Sequence, residues 1–346
     1  MSVQTTAPQT TAPDPVQHVF QLATGYVIST ALQLAVRAGV ADHLASGPRT
    51  AKELATATGT NEDALYRVLR ALASVGVFDE IEPHRFALTP AADVLRKQAP
   101  NSIHDVVLFI ADPLHLRVYA DAIESLRTGK PAAEKTLGKS IFDWFAEHPE
   151  YSSTFNNAMT NMSAALIPAV LEAYDFGNIG VLVDVAGGHG QVLTSILRKY
   201  PAMRGIVMDL DHVVAGAKPN IEASGLADRC QAVAGDFFKA VPEGGDAYVM
   251  KHIIHDWDDE RAAQILRSIH TAMGAKSGKV ILLEGVLAPG NEPGLGKVMD
   301  LEMLFLPGGR ERSAEEFRAL FDRAGFDLVR IVPTASPVCV IEAQKR

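Results

Sequence analysis

The stretch 181–190, VLVDVAGGHG, restricts the fold more than any other part of this 346-residue chain. Apolar residues and one acid, Asp184, run directly into Gly187, Gly188 and Gly190, and a helix-like segment over 191–200 follows at once. A short apolar run that meets a glycine-rich turn and a helix start reads as a buried parallel strand opening a nucleotide site. Glycines let the backbone approach a ligand closely, and the first turn of a helix presents unpaired N–H groups. Asp209 closes the next apolar run, nineteen positions after Gly190, where an acid that holds a ribose is expected. The dinucleotide fingerprint is incomplete, because Leu193 stands where its third small residue belongs. The spacing thus favours a nucleoside-type cofactor over NAD, with a ligand-free glycine turn as the bland alternative.

Downstream, strand-like runs recur at 205–209, 230–234, 246–251, 279–284, 326–332 and 338–343, with helical patterns between most of them, notably 258–273 and 313–324. With the first run that makes seven strands. The alternation predicts an α/β, doubly wound, Rossmann-like sheet, mainly parallel. The last two runs are joined only by PTASP at 333–337, too short for a crossover helix, so this strand pair is expected to be antiparallel.

Upstream, 16–39 is helical and apolar on more than one face (Phe20, Leu22, Tyr26, Ile28, Leu32, Leu34, Val36), which calls for a partner. Thr50 is placed to cap a helix over 51–58, Gly59 to turn the chain, and Asn61 to cap a second helix over 62–75. VFDEIEPHRFALT then alternates like a hairpin, completing a winged-helix pattern. DNA binding is the sharp reading of that pattern, and charge opposes it. Residues 16–98 carry eight basic and eight acidic side chains, and Glu62 and Asp63 open the helix that would face bases. Dimerisation is the better use of this domain. Residues 101–175 read as helices rich in large apolar groups; Tyr151, Phe155, Met159 and Met162 form a stripe that suits either core or pocket.

The formal charge of −9 argues against a dedicated nucleic-acid partner. Cys230 and Cys339 give no disulfide framework and fit a reducing, cytoplasmic setting. The first fifteen residues lack the basic and apolar regions of a leader and read as a disordered tail. No apolar run is expected to approach membrane-span length, so no membrane partner is expected. The expected division is a tail (1–15), a winged-helix domain (16–100), a helical connecting region (101–175) and a cofactor-binding domain (176–346).

Ligands of such sheets sit beyond the carboxyl ends of the strands. There this sequence places Asp184, Asp209, Asp236 with Phe237, the run 251–257 (KHIIHDW) and Glu284. Asp236 beside Phe237 suits an adenine ring, and equally a turn acid next to a core ring. His255 titrates near neutrality and is the candidate general base, with Glu284 and Glu311 as flanking carboxylates. A metal set of His255, Asp256, Asp258 and Asp259 is the competing reading; acids at a helix start already suit its dipole, and no metal is expected. Ser313 and Glu316 form a capping box, which leaves Glu311, before the cap, free to point into a site.

Taken together, LVDVAGGHG, MDLDH, GDFF, VMKHIIHDWDDE, LLEGVL and PGGRERS resemble the S-adenosylmethionine-dependent small-molecule O-methyltransferases. This is the metal-independent group of plant caffeic acid and flavonoid enzymes and bacterial polyketide-tailoring relatives. The resemblance implies that Gly187, Gly188 and Gly190 cradle the methionine part of the cofactor, with Asp184 beside them. It implies ribose binding by Asp209, adenine binding by Asp236 and Phe237, and Lys251 next to the adenine. His255 would take the proton of the acceptor hydroxyl, with Glu284 and Glu311 bracketing its ring. Phe155, Met159, Asp256 and Met303 would meet the acceptor, a phenolic or aromatic polyketide-like molecule, and S-adenosyl-L-homocysteine would be the second product. The N-terminal domain would form a homodimer. A non-methylating relative (hydroxylation or decarboxylation) and a DNA-binding regulator are the alternatives. Three departures from the plant pattern stand out: Ala186 in place of a glycine, Glu302 where relatives carry an apolar pocket residue, and one residue fewer before Pro307.

Overall fold

The computed structural model describes residues 14–346, so nearly all of the expected tail lies outside the described residues. The chain divides into two compact units between Ala99 and Pro100, one residue from the expected boundary. The helical stretch 101–175 belongs to the second unit and is not a unit of its own.

In the first unit the expected caps are all in place. Thr50 and Glu53 make a reciprocal capping box for the helix Ala51–Thr58, which Gly59 ends in the left-handed conformation (φ 65°). Asn61 caps the helix Glu62–Ser74, whose Leu65, Leu69 and Leu72 fall on one face and are buried. Strand β1 (Arg49–Thr50) pairs with β3 (Arg85–Leu88), which pairs in turn with β2 (Phe78–Glu82), all antiparallel. The first helix, Pro15–Arg37, leaves Val16, Val19, Phe20, Leu22, Tyr26 and Val27 exposed. Its most apolar window has a mean hydropathy of 1.4 over a 23-residue helix, so by length and composition it is able to cross a membrane. This corrects the expectation that no run approaches that length; the Gln, Ser and Thr residues scattered along the helix hide its continuity in the sequence.

The second unit is built on a seven-stranded sheet in the order β6-β5-β4-β7-β8-β10-β9. The strands are β4 (Val181–Val185), β5 (Arg204–Asp209), β6 (Cys230–Ala234), β7 (Ala247–Lys251), β8 (Lys279–Glu284), β9 (Phe326–Pro333) and β10 (Cys339–Lys345). The first five are parallel neighbours. The final strand inserts between β8 and β9 and runs antiparallel to both, as the short link requires for the β9–β10 pair. Alternate residues of the central strands feed two cores. Leu182, Val249 and Ile281 pack on one face with Val192, Leu193 and Ile196, while Val183, Tyr248 and Leu282 pack on the other with Leu266, Phe317 and Phe321. That period of two, with both faces covered, is what makes the sheet doubly wound.

Leu193, the misfit in the fingerprint, has a structural explanation. A Cβ on Gly205 of β5 would lie 2.7 Å from a Leu193 methyl. The close helix–strand approach is made by a missing side chain on the strand, so the helix can carry a large one.

Candidate active site

The carboxyl edge of the sheet gathers the expected residues. After β4 the chain turns through Ala186 (φ 58°), Gly188 (φ 56°) and Gly190 (φ 77°). A Cβ on Gly187 would lie 2.7 Å from the Asp184 carboxyl carbon, so this position admits only glycine. Asp209 accepts the Gly188 N–H at 2.8 Å and the Leu210 N–H at 2.7 Å, which ties the glycine turn to the end of β5. Asp184 is buried, and burial together with the nearby Asp209 pushes its carboxyl up to about 7. At the end of β7, burial lowers the Lys251 ammonium to about 8 against the pull of Glu284, Asp184 and Asp256. One Asp184 oxygen and the Lys251 Nζ are buried without a protein partner. Buried polar atoms in that state are costly unless a ligand meets them. Together with a glycine backbone that a ligand can approach, they fit the amino-acid and sugar parts of S-adenosylmethionine. Asp236 accepts the Phe238 N–H at 2.9 Å and pairs with Lys239 at 3.2 Å, while Phe237 lies 6.0 Å, edge to face, from Trp257.

His255 sits in a single 3-10 turn, Ile254–Asp256, just beyond β7. Glu284, fully buried at the end of β8, accepts the N–H groups of Ile253 and Ile254 at 3.0 and 2.9 Å and so fixes the turn. The ring Nδ1 lies 2.7 Å from Glu311 Oε1 and 3.7 Å from Glu284 Oε2, and Nε2 lies 3.6 Å from Asp256. The two glutamates therefore share the Nδ1 side and do not bracket the ring. Burial disfavours the imidazolium, but the Glu284, Asp256 and Glu311 carboxylates outweigh it and push His255 up to about 10. Burial in turn raises Asp256 to about 7 and raises Glu284 as well. With Nδ1 committed to Glu311, Nε2 is the nitrogen left to exchange a proton.

Donor atoms of His255, Glu284 and Glu311 lie within 4.8 Å of one another, close enough to suggest a metal site. The 2.7 Å separation of Nδ1 and Oε1 speaks for a shared proton, since ligands about 2.0–2.1 Å from a tetrahedral zinc stand more than about 3 Å apart. The other proposed ligands are used elsewhere: Asp258 caps the helix Asp259–Ala272, and Asp259 pairs with Arg312.

Several residues that position this turn escaped the sequence reading. Arg312 is the largest fully buried side chain among the described residues. It donates to the carbonyls of Ile254 (3.0 Å) and Trp257 (2.9 Å), either side of His255, and to Asp259 at 2.9 Å. The Arg310 N–H donates to the His255 carbonyl at 2.8 Å, and Asp300 accepts the Glu311 N–H at 2.9 Å. A Cβ on Gly309 would overlap the His255 carbonyl oxygen, so the segment 309–312 can lie this close only with glycine there. His252 adopts a left-handed conformation (φ 54°) and stacks on His255 at 5.1 Å, and burial and the Lys251 charge hold it neutral. The PGGRER motif was the available signal for Gly309, Arg310 and Arg312, and it carried no sign of these contacts.

Of the residues expected to meet the acceptor, Phe155 packs against Phe109 and Phe145 (both 5.3 Å) in a cluster that also holds Leu306. Met303 is buried one turn before Leu306. Met159 is half-buried on the helix Pro149–Ala173, and its neighbour Thr160 lies 3.3 Å from His189 of the glycine turn. Phe142 links Phe155 (6.4 Å) to Trp257 (5.7 Å), next to Asp256.

Comparison with known proteins matches both units of the chain. Residues 118–327 match the O-methyltransferase domain model and residues 20–98 the O-methyltransferase dimerisation domain model. A phenazine O-methyltransferase of Lysobacter antibioticus is 41% identical over 326 residues, 94% of this chain and 95% of that protein. The crystal structure of LaPhzM superposes with a TM-score of 0.90 at 41% identity, covering 96% of this chain and all of the other. The neocarzinostatin-biosynthesis O-methyltransferase NcsB1, solved with S-adenosyl-L-homocysteine and 1,4-dihydroxy-2-naphthoic acid, superposes at 0.79 with 32% identity over 97% of this chain and 100% of that chain. A glycine turn tied to Asp209, a buried histidine with carboxylates at Nδ1 and these matches along both units lead to one assignment: the chain belongs to the S-adenosylmethionine-dependent O-methyltransferases.

Proposed function

We propose that this enzyme methylates a hydroxyl group of a phenolic or polycyclic aromatic small molecule, with His255 as general base. The observation that carries the reading is the 2.7 Å bond between His255 Nδ1 and Glu311, which fixes the tautomer and leaves Nε2 for the acceptor. Bound S-adenosylmethionine supplies a methyl group on a positively charged sulfur. Gly187, Gly188 and Gly190 bring backbone up to its methionine part, with Asp184 meeting polar groups nearby and Lys251 beside the adenine. Asp209 holds the ribose, and Asp236 and Phe237 hold the adenine. Phe155, Met159 and Met303 wall the acceptor, and Asp256, 3.6 Å from Nε2, orients the hydroxyl.

A free phenol titrates near 10, and His255 is pushed up to about 10, so proton transfer from oxygen to Nε2 is close to balanced. The acceptor oxygen would lose its proton to Nε2 as its bond to the methyl carbon forms and the methyl–sulfur bond breaks, the electron pair staying on sulfur in S-adenosyl-L-homocysteine. Glu311 and Glu284 stabilise the imidazolium that results. Alignment of oxygen, carbon and sulfur supplies the rest through proximity. The names of the phenazine and dihydroxynaphthoate relatives support a fused aromatic acceptor. The exposed apolar face of the first helix and the dimerisation-domain match support a homodimer, and we place the enzyme in the cytoplasm.

The test is transfer of labelled methyl from S-adenosylmethionine to a panel of hydroxyphenazines, naphthols, catechols and flavonoids. His255→Ala is expected to lower turnover about 10²–10⁴-fold with S-adenosyl-L-homocysteine affinity retained. Turnover equal to the parent enzyme would remove His255 from the mechanism.

A further inference from the structure

A second polar cluster lies away from His255, and the proposed reaction makes no use of it. Glu302, on the helix Leu295–Phe305, meets His115 and Tyr119, both on the helix Pro113–Ala120. His115 Nε2 lies 3.1 Å from Glu302 Oε1, and the Tyr119 hydroxyl donates to Glu302 Oε2. His115 is 1% exposed and the Glu302 side chain 12%. Their surroundings are apolar. Phe109 sits edge-on to His115 at 4.7 Å, Phe305 lies 5.8 Å from Tyr119, and Leu114 and Val118 are buried on the same helix as the histidine. A carboxylate and an imidazole inside such a cluster, with the Tyr119 phenol at its exposed edge, cost desolvation that their mutual contacts offset only in part.

The contacts of this cluster suit one distribution of protons. Tyr119 has one, and it points at Glu302; burial and the adjacent Glu302 charge raise the hydroxyl, so it stays protonated. His115 Nδ1 is buried without a protein partner, and in the neutral tautomer whose Nε2–H donates to Glu302 it is an acceptor. What remains is acceptor capacity only: lone pairs on the carboxylate, on Nδ1 and on the tyrosine oxygen. A group that enters here must bring hydrogen-bond donors.

The cluster also borders the rings assigned to the acceptor. Phe109 touches both His115 (4.7 Å) and Phe155 (5.3 Å). Glu302 is adjacent in sequence to buried Met303, and two residues earlier Asp300 holds the backbone of Glu311. We propose that Glu302, held by His115 and Tyr119, is a specificity subsite that binds a hydrogen-bond-donating substituent, hydroxyl or amino, remote from the methylated oxygen of the aromatic acceptor. The proposal rests on the reading of Phe155 and Met303 as acceptor walls. It requires that an acceptor bearing a carboxylate at that position be disfavoured, because the subsite has no proton left to offer it.

The experiment measures equilibrium binding by calorimetry with S-adenosyl-L-homocysteine present. The ligands are a naphthol and, in each ring isomer, the matching naphthalenediols, aminonaphthols and hydroxynaphthoates. The expected result is that one diol or aminonaphthol isomer binds about 10- to 100-fold more tightly than the naphthol, with the carboxylate weakest. The diol and amino arms separate an O–H from an N–H donor. Glu302→Leu and His115→Phe should bring the donor-to-naphthol ratio close to one, and Glu302→Gln, which keeps an acceptor oxygen, should keep part of it. S-adenosyl-L-homocysteine affinity reports folding in each variant. A carboxylate that binds best, or a ratio unchanged in Glu302→Leu with cofactor binding intact, overturns the subsite. Failure of labelled methyl to reach any ligand, with the donor preference present, counts against the transfer reaction and leaves the subsite standing.

Discussion

Replacing Glu311 with glutamine removes one of the three carboxylate charges, after Glu284 and Asp256, that raise the proton affinity of His255. The glutamine side chain is the same size and accepts a hydrogen bond from Nδ1, so the ring keeps its orientation while one carboxylate is lost. In the parent enzyme His255 rises from its ordinary value of 6.5 to about 10. That is worth about 5 kcal/mol in favour of the imidazolium. An opposite charge at this distance accounts for a shift of about 1–3 units, so Glu311→Gln should bring the value down by that amount. A general base acts when neutral. The kcat/KM of the parent enzyme should climb with pH, about tenfold per unit, and level near pH 10. In the variant the break should move to between about 7 and 9, with a lower plateau because the imidazolium is less stabilised. Stability gives a second readout of the same coupling. A raised histidine pKa stabilises the fold fully below its unfolded value near 6.5, and that contribution is lost as pH rises through about 10. The variant should therefore be less stable by about 1–4 kcal/mol near pH 6, the gap closing above pH 10. The assay is a pH series of label transfer together with thermal melts. Equal breaks in the two proteins, or a parent break near 6.5, would refute the coupling.

Three further substitutions probe the surroundings of the site. Gly309→Ala drives a methyl group into the His255 carbonyl oxygen, where backbone must move; we expect a loss of about 1–3 kcal/mol or more in melts and a larger fall in kcat than in cofactor affinity. Arg312→Lys keeps the charge but cannot reach Ile254, Trp257 and Asp259 together, so kcat should drop about 10- to 100-fold and the pH break should shift down as His255 loosens from Glu311; an unchanged break would assign Arg312 to stability alone. Ala186→Gly removes a side chain from a left-handed position (φ 58°) and should stabilise the fold by up to about 1 kcal/mol after the entropy that glycine adds to the unfolded chain, seen as a higher melting temperature; a lower melting temperature would mean that the Ala186 methyl group packs favourably.

The sequence by itself determined what depends on neighbouring residues. Thr50, Asn61 and Ser313 mark helix starts because capping needs one side chain and the next turn. The sheet follows from short apolar runs that alternate with helical patterns, and the antiparallel end from a link too short to cross over. The residues at the carboxyl edge were legible for the same reason: a parallel strand delivers whatever ends it to one side of the sheet. Only the tertiary structure decided how residues distant in the chain divide one contact. Both glutamates reach His255 at Nδ1, although Glu311 is 56 residues away. Arg312 serves the carbonyls on either side of that histidine, and no motif spacing encodes the direction of an arginine fork. Leu193 is admissible because Gly205 on another element leaves it room, and β10 slips between β8 and β9 because burying its apolar residues on both faces outweighs chain order. Glu302 stood out in the sequence only as an anomaly. His115 and Tyr119, more than 180 residues earlier, are what give it a chemical setting, because burial makes a carboxylate depend on whichever donors the fold brings to it.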